Sequence, residues 1–249
     1  MLQYSFFTLF PHLIAPYFKD SILKRAIDNG LLGVECIDFR DFAQNVYKKV
    51  DNPPISGGAG QVIGFEALAY ALQGYLNSHI IFLSPCGKPF TQQDSVRLAK
   101  KNHISFVCGR YEGFDERLVE SFGDEVFSVG DFILTGGELG ALCLADSIAR
   151  QVSGVLGNEE SLRGESFESN MLQAVSFAKN SSKMQQNLQK FTNFYVPLEF
   201  LKGNHSKITD LKNRLAMCKT KYFRPDLWRK HTKQGNQGSI NEKSIHTKF

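Results

Sequence analysis

Glycines at the ends of apolar runs are the residues best placed to do chemistry in this 249-residue chain. Two short apolar runs between positions 107 and 141 each end in a turn that combines glycine with polar side chains. Glycine has no Cβ, so the backbone N–H and C=O groups of such turns can approach a ligand closely. The pattern indicates a ligand held largely by main-chain groups, in turns that contain Gly109, Gly113, Gly130, Gly136 and Gly137.

The apolar runs before these glycines predict buried strands. Residues 106–108 and 126–129 are rich in β-branched and aromatic side chains, and residues 80–83 form a third such run before the polar segment 84–87. In open α/β sheets, ligands bind outside the carboxyl ends of strands. The three runs therefore predict a small-molecule cleft, although ordinary βα turns also use glycine and none of the loops has a common nucleotide-binding spacing.

Apolar periodicity predicts the elements that carry these loops. Strands are expected at 4–10 and 31–39 with a helix at 16–29 between them, and further helices at 65–76, 92–102 and 137–152. Alternating strands and helices favour an α/β fold with a parallel sheet covered on both faces. We expect the long segment 40–60, which lacks a clear period, to be a loop that covers the cleft.

Charge divides the chain into two unlike parts. Residues 1–165 contain 14 Lys and Arg against 20 Asp and Glu, a net charge of −6, whereas residues 166–249 contain 15 against 5, a net charge of +10. Such a basic part predicts a polyanionic partner, because neutralised phosphates release counterions. Its densest stretch, 219–230, includes three aromatic residues, which either contact nucleic acid or pack inside a small helical domain.

Composition sets the expected domains and compartment. We expect a ligand-binding domain at 1–156, a linker at 157–168, a basic helical domain at 169–230 and a disordered tail at 231–249. No run approaches the roughly 18 apolar residues of a membrane span, so we expect a cytoplasmic protein without a membrane partner. The cysteines are odd in number and are not spaced as zinc ligands: Cys36, Cys86, Cys108, Cys143 and Cys218.

Residue order in the glycine-rich stretch closely resembles the bacterial tRNA (guanine-N1)-methyltransferases of the knotted SPOUT superfamily. The resemblance rests on GRYEGFDER at 109–117 and SVGDFILTGGEL at 128–139, with shorter matches at 56–60, 83–85, 154–157, 203–205 and 224–227. It implies a parallel α/β domain that ends in a trefoil knot, followed by a smaller, mainly helical domain. It also implies an obligate homodimer in which each active site is completed by the other subunit.

The resemblance implies transfer of a methyl group from S-adenosylmethionine to N1 of the guanosine 3′ of a tRNA anticodon, position 37. The residues implied to contact the methyl donor are Leu83, Ser84, Gly109, Tyr111, Glu112, Gly113, Ser128, Val129, Gly130, Asp131, Phe132, Ile133, Leu134, Gly136 and Gly137. A dependence on Mg²⁺ is implied as well, but no all-oxygen cage is evident and no metal ligand is predicted.

Methylation at guanine N1 needs a base for the N1 proton and a positive group near O6. The family uses an aspartate before Ser-Phe and an arginine that ends the preceding helix, and the matching residues here are Glu165 and Arg150. Glutamate is a departure, because its extra methylene adds about 1.5 Å of reach and requires a different backbone position. Other carboxylates stay as rival bases: Glu159, Glu160 and Glu168.

The basic part departs further from the family, since residues 171–183 lack the Pro-His-Tyr-Thr-Arg-Pro element of relatives. Two alternatives therefore stay open: a knotted methyltransferase that acts on another RNA, and a non-catalytic RNA-binding protein that retains the pocket. His205 has two readings as well, a phosphate contact or a cap or core residue of the helix that begins there.

Overall fold

The computed structural model describes residues 1–158, 164–167, 169–178 and 196–233. The chain divides into two compact units, Met1–Glu160 and Ser161–Phe249. The strands of the first unit are β1 (Leu2–Phe7), β2 (Leu32–Ile37), β3 (Asp51–Asn52), β4 (Val62–Ile63), β5 (His79–Pro89), β6 (His103–Cys108) and β7 (Glu125–Ser128). Five of these form one sheet in the order β2-β1-β6-β5-β7, in which every neighbouring pair is parallel. The predicted parallel sheet is therefore confirmed.

Helices connect the strands and cover both faces of the sheet. They are α1 (Pro11–Ile14), α2 (Ser21–Asp28), α3 (Phe65–Gln73), α4 (Gln92–Leu98), α5 (Glu116–Phe122) and α6 (Glu138–Ala149). One core cluster contains side chains of α2, α4 and α6, and a second contains those of α3 and α5. Since alternate residues of a strand face opposite ways, Phe6 of β1 joins the first cluster and Phe7 the second.

Large buried aromatic side chains anchor the sheet to helix α6. Phe6 and Phe106 stack with ring centres 5.1 Å apart, and both side chains are fully buried. Burial of one such ring contributes about 1.5–3 kcal/mol. The hydroxyl of Tyr4 donates to the carbonyl of Ala145 at 3.1 Å, so even the polar end of this buried side chain is satisfied. These contacts hold α6 beside β1 and β6.

Strand β5 differs from its prediction. Pairing with β7 does not stop at Leu83, because both Leu83 and Lys88 pair with Phe127 and the four residues between them bulge out. Gly87 makes this possible, since a Cβ there would lie 2.7 Å from the backbone of Phe127. The predicted loop at 84–87 is thus an insertion within one long strand.

The first predicted helix was wrong in its extent. Residues 16–29 do not form one helix, since a 3-10 turn at Ala15–Lys19 follows α1 and α2 begins only at Ser21. Asp20 has an extended backbone, and its side chain accepts a hydrogen bond from the Ser21 nitrogen, which ends one helical segment and starts the next. Segment 40–60 is also more ordered than predicted, because it contains β3 and part of the 3-10 turn Phe39–Phe42.

The second unit contains helices in residues 196–233, as predicted, whereas its described residues 164–167 and 169–178 are turns and coil. Its helices are α7 (Leu198–Leu201), α8 (His205–Phe223) and α9 (residues 225–233). Asn204, not His205, caps α8, because its side chain accepts from the Lys207 nitrogen at 3.2 Å. Residues 231–233 of the predicted tail belong to α9, and residues 234–249 lie outside the described residues. Within the described ranges, every helix is too short or too polar to cross a bilayer.

Candidate functional site

The bulge at 84–87 within β5 and the loops that follow β6 and β7 meet at one edge of the sheet. Leu83 of β5 pairs with both Cys108 of β6 and Phe127 of β7, so the three strands are level at this point. The Gly137 nitrogen donates to the Gly109 carbonyl at 2.8 Å, which joins the loop after β7 to the loop after β6. The structure therefore brings together the three loops that the sequence predicted to form a cleft.

Glycine is needed in these loops for close approach of backbone to backbone. A Cβ on Gly137 would lie 2.7 Å from the backbone nitrogen of Gly109 and 2.9 Å from the Cα of Cys108. Gly113 has a φ of +108°, a conformation that side chains disfavour, and nothing lies within 4 Å of where its Cβ would be. Gly137 thus serves loop packing, whereas Gly113 leaves open space beside the backbone.

The loop after β6 is strained and is tied to the long segment before α3. Tyr111 has a φ of +58°, an unusual value for a residue with a large side chain, and such strain clusters at functional sites. The Glu112 nitrogen donates to the Gln61 carbonyl, and the Ile63 nitrogen donates to the Gly113 carbonyl, both at 2.9 Å. The end of the long segment therefore forms one wall of this loop region.

The loop after β7 closes on itself and exposes apolar side chains. Ser128 Oγ donates to the Gly130 carbonyl at 3.0 Å, so this predicted ligand residue supports the turn. Phe132 and Ile133 are 56% and 80% exposed. Phe132 and Leu134 help to line an apolar cavity of about 250 Å³, together with Phe90, Val129, Leu139, Cys143 and Leu144.

Arg150 lies at the opposite end of helix α6 from the loops. The helix runs over 12 residues from Glu138 to Ala149, and Arg150 is its C-cap. At 1.5 Å per residue the helix is about 18 Å long. The predicted arginine and the predicted ligand loops are therefore not brought together within one chain.

An ion pair that sequence reasoning missed links the loop after β6 to α6. Arg110 Nε donates to Glu138 Oε1 at 3.1 Å, and Arg110 Nη2 lies 2.9 Å from Glu138 Oε2. The two side chains are only 18% and 4% exposed. A usable signal was present in the sequence, because each of these opposite charges directly adjoins a glycine of the predicted ligand loops.

A second charged cluster lies near the start of β7. Glu125 Oε1 and Oε2 accept from the two terminal nitrogens of Arg97, each at 2.8 Å, and His79 Nε2 and Lys88 Nζ lie within 3.0 Å of the same carboxylate. Burial raises the pKa of Glu125, but hydrogen bonds from Arg97, His79 and Lys88 outweigh it and lower the pKa to about 2. This cluster ties β7 to β5 and α4.

In the second unit, Glu165 precedes a turn that is fixed to the basic helix. The Phe167 nitrogen donates to the Met171 carbonyl at 2.7 Å, and Phe167 has a φ of +79°. The guanidinium of Arg224 lies 5.8 Å from the centre of the Phe167 ring. The Leu172 nitrogen donates to Thr220 Oγ1 of α8 at 2.8 Å. Glu165 is half-buried beside this turn.

The aromatic residues near the end of α8 are largely on the surface. Tyr222 and Phe223 are 80% and 64% exposed, so the reading that they pack inside a helical domain is wrong for these two. Trp228 is half-buried and stacks on His231 with ring centres 5.9 Å apart. Exposed aromatics among Lys219, Lys221 and Arg224 suit both stacking on bases and contacts with phosphate.

Carboxylate, cysteine and histidine side chains do not gather into a metal site in the part of the chain that the structure describes. Mg²⁺ often binds only one or two carboxylates plus substrate oxygens, so it does not require such a cluster. Glu165 and Glu112 are both described, whereas the rival bases Glu159, Glu160 and Glu168 lie outside the described residues.

A parallel α/β unit with glycine loops at its strand ends, followed by a basic helical unit, defines the class of nucleic-acid-modifying enzymes that use a small-molecule donor. The family model described as tRNA (Guanine-1)-methyltransferase TrmD matches residues 2–230, and the chain belongs to this family, which is part of the SPOUT superfamily.

Relatives support this assignment over nearly the whole chain. A protein of Helicobacter hepaticus named tRNA (guanine-N(1)-)-methyltransferase is 59% identical over 98% of this chain and 100% of its own length. Proteins with the same name from Wolinella succinogenes and Campylobacter jejuni are 52% and 51% identical, over 92% and 94% of this chain and 96% and 100% of their own lengths.

Proposed function

We propose that this protein transfers a methyl group from S-adenosylmethionine to N1 of guanosine 37 in tRNA. The observation that carries the proposal is the family match over residues 2–230, together with the meeting of Leu83 of β5 with the ends of β6 and β7, where the family's ligand motifs lie. Relatives at 51% to 59% identity carry the name of this activity. The family assignment favours it over methylation of another RNA.

The loops suit a nucleoside-like donor, because they can contact it mainly through backbone groups and present few charged side chains. Open space beside Gly113 and the left-handed backbone of Tyr111 present main-chain groups between the loops, and the buried Leu83 closes the base of the region. When bound, the donor supplies an activated methyl group on a sulfonium. The residues that would hold it are those of the three segments 83–84, 109–113 and 128–137.

Glu165 would accept the N1 proton of the target guanine as N1 gains its methyl group, and Arg150 would stabilise the negative charge on O6. Both residues belong to the described part of the chain. Glu165 lies two residues before the hydrogen-bonded turn at Phe167 and Met171, and a base must be held in one geometry to act.

We also propose a homodimer with composite active sites, which the position of Arg150 supports. Since Arg150 is about 18 Å from the loops of its own chain, a second copy is the natural source of the arginine. Exposed apolar side chains lie in the loop before α6 and in its first turn, at Phe132, Ile133 and Leu139. Exposed apolar patches of this kind mark interaction surfaces.

Mixing two inactive variants tests the composite site. Arg150→Ala removes the arginine that one subunit gives to its partner's site, and Gly137→Ala damages the donor loops. In a mixed dimer, one site combines intact loops with an intact arginine. After subunit exchange, we expect methylation to return to a substantial fraction of the parent rate. Mixtures as inactive as the separate variants would show that Arg150 acts with the loops of its own chain.

The second unit would bind the tRNA through the basic helix α8. Exposed lysines and the aromatic pair Tyr222 and Phe223 support this role.

A trefoil knot in the loop region is also proposed, supported by the close packing of Gly137 on Cys108 and Gly109. A dependence on Mg²⁺ would involve oxygens of the ligands as well as of the protein. We place the protein in the cytoplasm, with its substrate.

Primer extension on tRNA tests the proposed function. Purified protein, S-adenosylmethionine and total tRNA should give a reverse-transcription stop beside the anticodon, because N1-methylguanosine cannot form a Watson–Crick pair. A stop elsewhere would favour the alternative of another RNA target. Donor binding without any methyl transfer would favour a non-catalytic RNA-binding protein.

A further inference from the structure

The buried pair of Arg110 and Glu138 is held from several sides. Thr8 Oγ1, just beyond β1, donates to Glu138 Oε1 at 2.7 Å, and Arg110 Nη1 donates to the Thr135 carbonyl at 3.2 Å. The Arg110 guanidinium also lies 4.4 Å from the centre of the Phe10 ring. These contacts join the ends of β1 and β6 to the loop after β7.

The pair is a specific interaction and not a surface charge contact. Glu138 belongs to the first turn of α6, where the positive end of the helix dipole favours a carboxylate. Arg110 Nε donates a hydrogen bond to Glu138 Oε1, and Nη2 lies 2.9 Å from Oε2 as an ion-pair contact without hydrogen-bond geometry, so the arginine meets both carboxylate oxygens. Breaking a buried pair leaves an uncompensated charge, so neither partner can be lost without rearrangement of the loops.

Gly136, which the sequence predicted to contact the ligand, lies next to the pair. The pair explains why glycine is needed at this position. A Cβ on Gly136 would lie 2.6 Å from Arg110 Cζ and 2.6 Å from Glu138 Oε2. The side-chain ends that it would meet are not free to move, because the ion pair fixes both of them. Gly136 is therefore required where the pair passes over the backbone.

We propose that Arg110 and Glu138 are positioning residues for methyl transfer. Their ion pair keeps the loop after β7 closed against the loop after β6, in the shape that binds the methyl donor. Gly136 is the residue that lets the pair form. The inference rests on the proposed function only in naming S-adenosylmethionine as the ligand, and its tests need neither tRNA nor turnover.

Titration of the full chain with S-adenosylhomocysteine, an unreactive relative of the donor, tests the pair. We expect Arg110→Met and Glu138→Gln each to weaken binding about 10- to 100-fold, as part of the cost of breaking a buried pair appears in the ligand affinity. The double variant should bind no more weakly than the weaker single variant, because both changes remove the same interaction. Equal affinity of parent and single variants, or additive losses in the double variant, would overturn the proposal.

Arg117→Met is the matched control. Arg117 bonds Asp115 through Nε and Nη2 at 2.9 and 2.6 Å, yet its side chain is 67% exposed. This variant loses the same charge and the same kind of bond four residues after the β6 loop glycine Gly113. We expect its affinity to match that of the parent. A loss of affinity as large as that of Arg110→Met would overturn the proposal, because removal of any nearby arginine would then weaken binding equally.

Hydrogen exchange of Arg110→Lys separates positioning from global stability. Lysine keeps the charge, so this variant should fold, but its single nitrogen cannot meet both Glu138 oxygens and the Thr135 carbonyl as Arg110 does. We expect faster exchange at 130–137 with unchanged exchange in β1 and β6. Unchanged exchange at 130–137 would overturn the proposal even if the other variants fail to fold. If the parent binds no S-adenosylhomocysteine, the proposed function fails. The exchange result still shows whether the ion pair holds the loop at 130–137 in place.

Gly136→Ala supplies an independent check of the pair. In the parent it should weaken S-adenosylhomocysteine binding, because the added methyl group displaces the pair. In an Arg110→Met background the same change should have at most about a twofold further effect, since the pair is already broken. A full additional loss in that background would show that Gly136 acts on the ligand directly and would remove it from the proposal.

Discussion

The ligand loops of the first unit and the basic helix of the second unit are built for recognition in opposite ways. The loops use backbone groups in strained or glycine conformations. Their main charged groups, Arg110 and Glu138, form an ion pair that is largely buried. Helix α8 instead presents exposed lysines and exposed aromatic rings. Loop recognition should therefore depend on backbone shape and hardly on salt, whereas recognition by α8 should depend on charge.

Glu165→Gln should have the largest effect on the rate of methylation, because proton removal depends on this one carboxylate. Glu165 belongs neither to the donor loops nor to helix α8. We expect the rate constant for methyl transfer to fall by about 10²- to 10⁴-fold, the usual contribution of a general base. Affinities for donor and tRNA should change little. Single-turnover assays and separate binding titrations would measure both, and full turnover by this variant would remove Glu165 from the mechanism.

Gly137→Ala should have the largest effect on donor binding. Its Cβ would meet the backbone of Cys108 and Gly109, which cannot turn aside as a side chain can. We expect about a 100-fold or greater loss of S-adenosylmethionine affinity, with a smaller loss for Gly136→Ala. Calorimetric titration measures it, and Gly157→Ala, which meets nothing within 4 Å, is the control. Parent-like affinity would contradict recognition by loop shape.

Neutralising three exposed lysines of α8 should weaken tRNA binding more moderately. We expect the Lys207, Lys212 and Lys221 to Gln variant to bind tRNA about 10-fold more weakly at 0.15 M salt, with a slope of log affinity against log salt reduced by about 2 to 3. The control makes the same change at three exposed lysines of the first unit: Lys49, Lys100 and Lys101. Equal losses in both variants would mean that α8 has no special role.

Phe132→Leu should have a small effect on donor affinity, within about threefold, although Phe132 lies in a ligand loop. Its side chain is 56% exposed and lines the apolar cavity beside α6. A change there should act on subunit association, measured by light scattering at several protein concentrations. A large loss of donor affinity in the dimeric variant would mean that side chains, not only the backbone, recognise the donor.

Glu125→Gln should leave ligand affinity unchanged and alter only stability. The pKa of Glu125 is lowered to about 2 in the folded protein, so its contribution is present above about pH 4.5 and is lost as pH falls toward 2. We expect the variant to be less stable by about 1–3 kcal/mol at pH 7, with the difference vanishing near pH 2. Urea unfolding at several pH values checks this, and a pH-independent difference would contradict it.

Local sequence pattern predicted the features that depend on neighbouring residues. The parallel sheet, the glycine loops at the ends of β6 and β7 and the helical C-terminal part all follow from periodicity and turn residues. The pattern did not predict that β5 resumes at Lys88, because this depends on contact between Gly87 and the backbone of Phe127. Long-range contacts of this kind leave no local period.

The candidate site shows the same division. The positions of the loop glycines could be predicted from the sequence, but their separate purposes could not. Gly137 packs against another loop, Gly136 accommodates an ion pair, and Gly113 leaves open space. Arg110 and Glu138 are 28 residues apart, so their pairing became visible only in the folded chain. The separation of Arg150 from the loops likewise depends on the direction of α6.

Hydrogen exchange of the full chain, measured once with S-adenosylhomocysteine and once with tRNA, tests the division of recognition most directly. We predict that S-adenosylhomocysteine slows exchange at 83–87, 109–113 and 128–137 and leaves α8 unchanged, at both low and high salt. We predict that tRNA slows exchange in α8, and that high salt abolishes this effect. Protection of α8 by S-adenosylhomocysteine, or no protection in the three loops, would contradict the account.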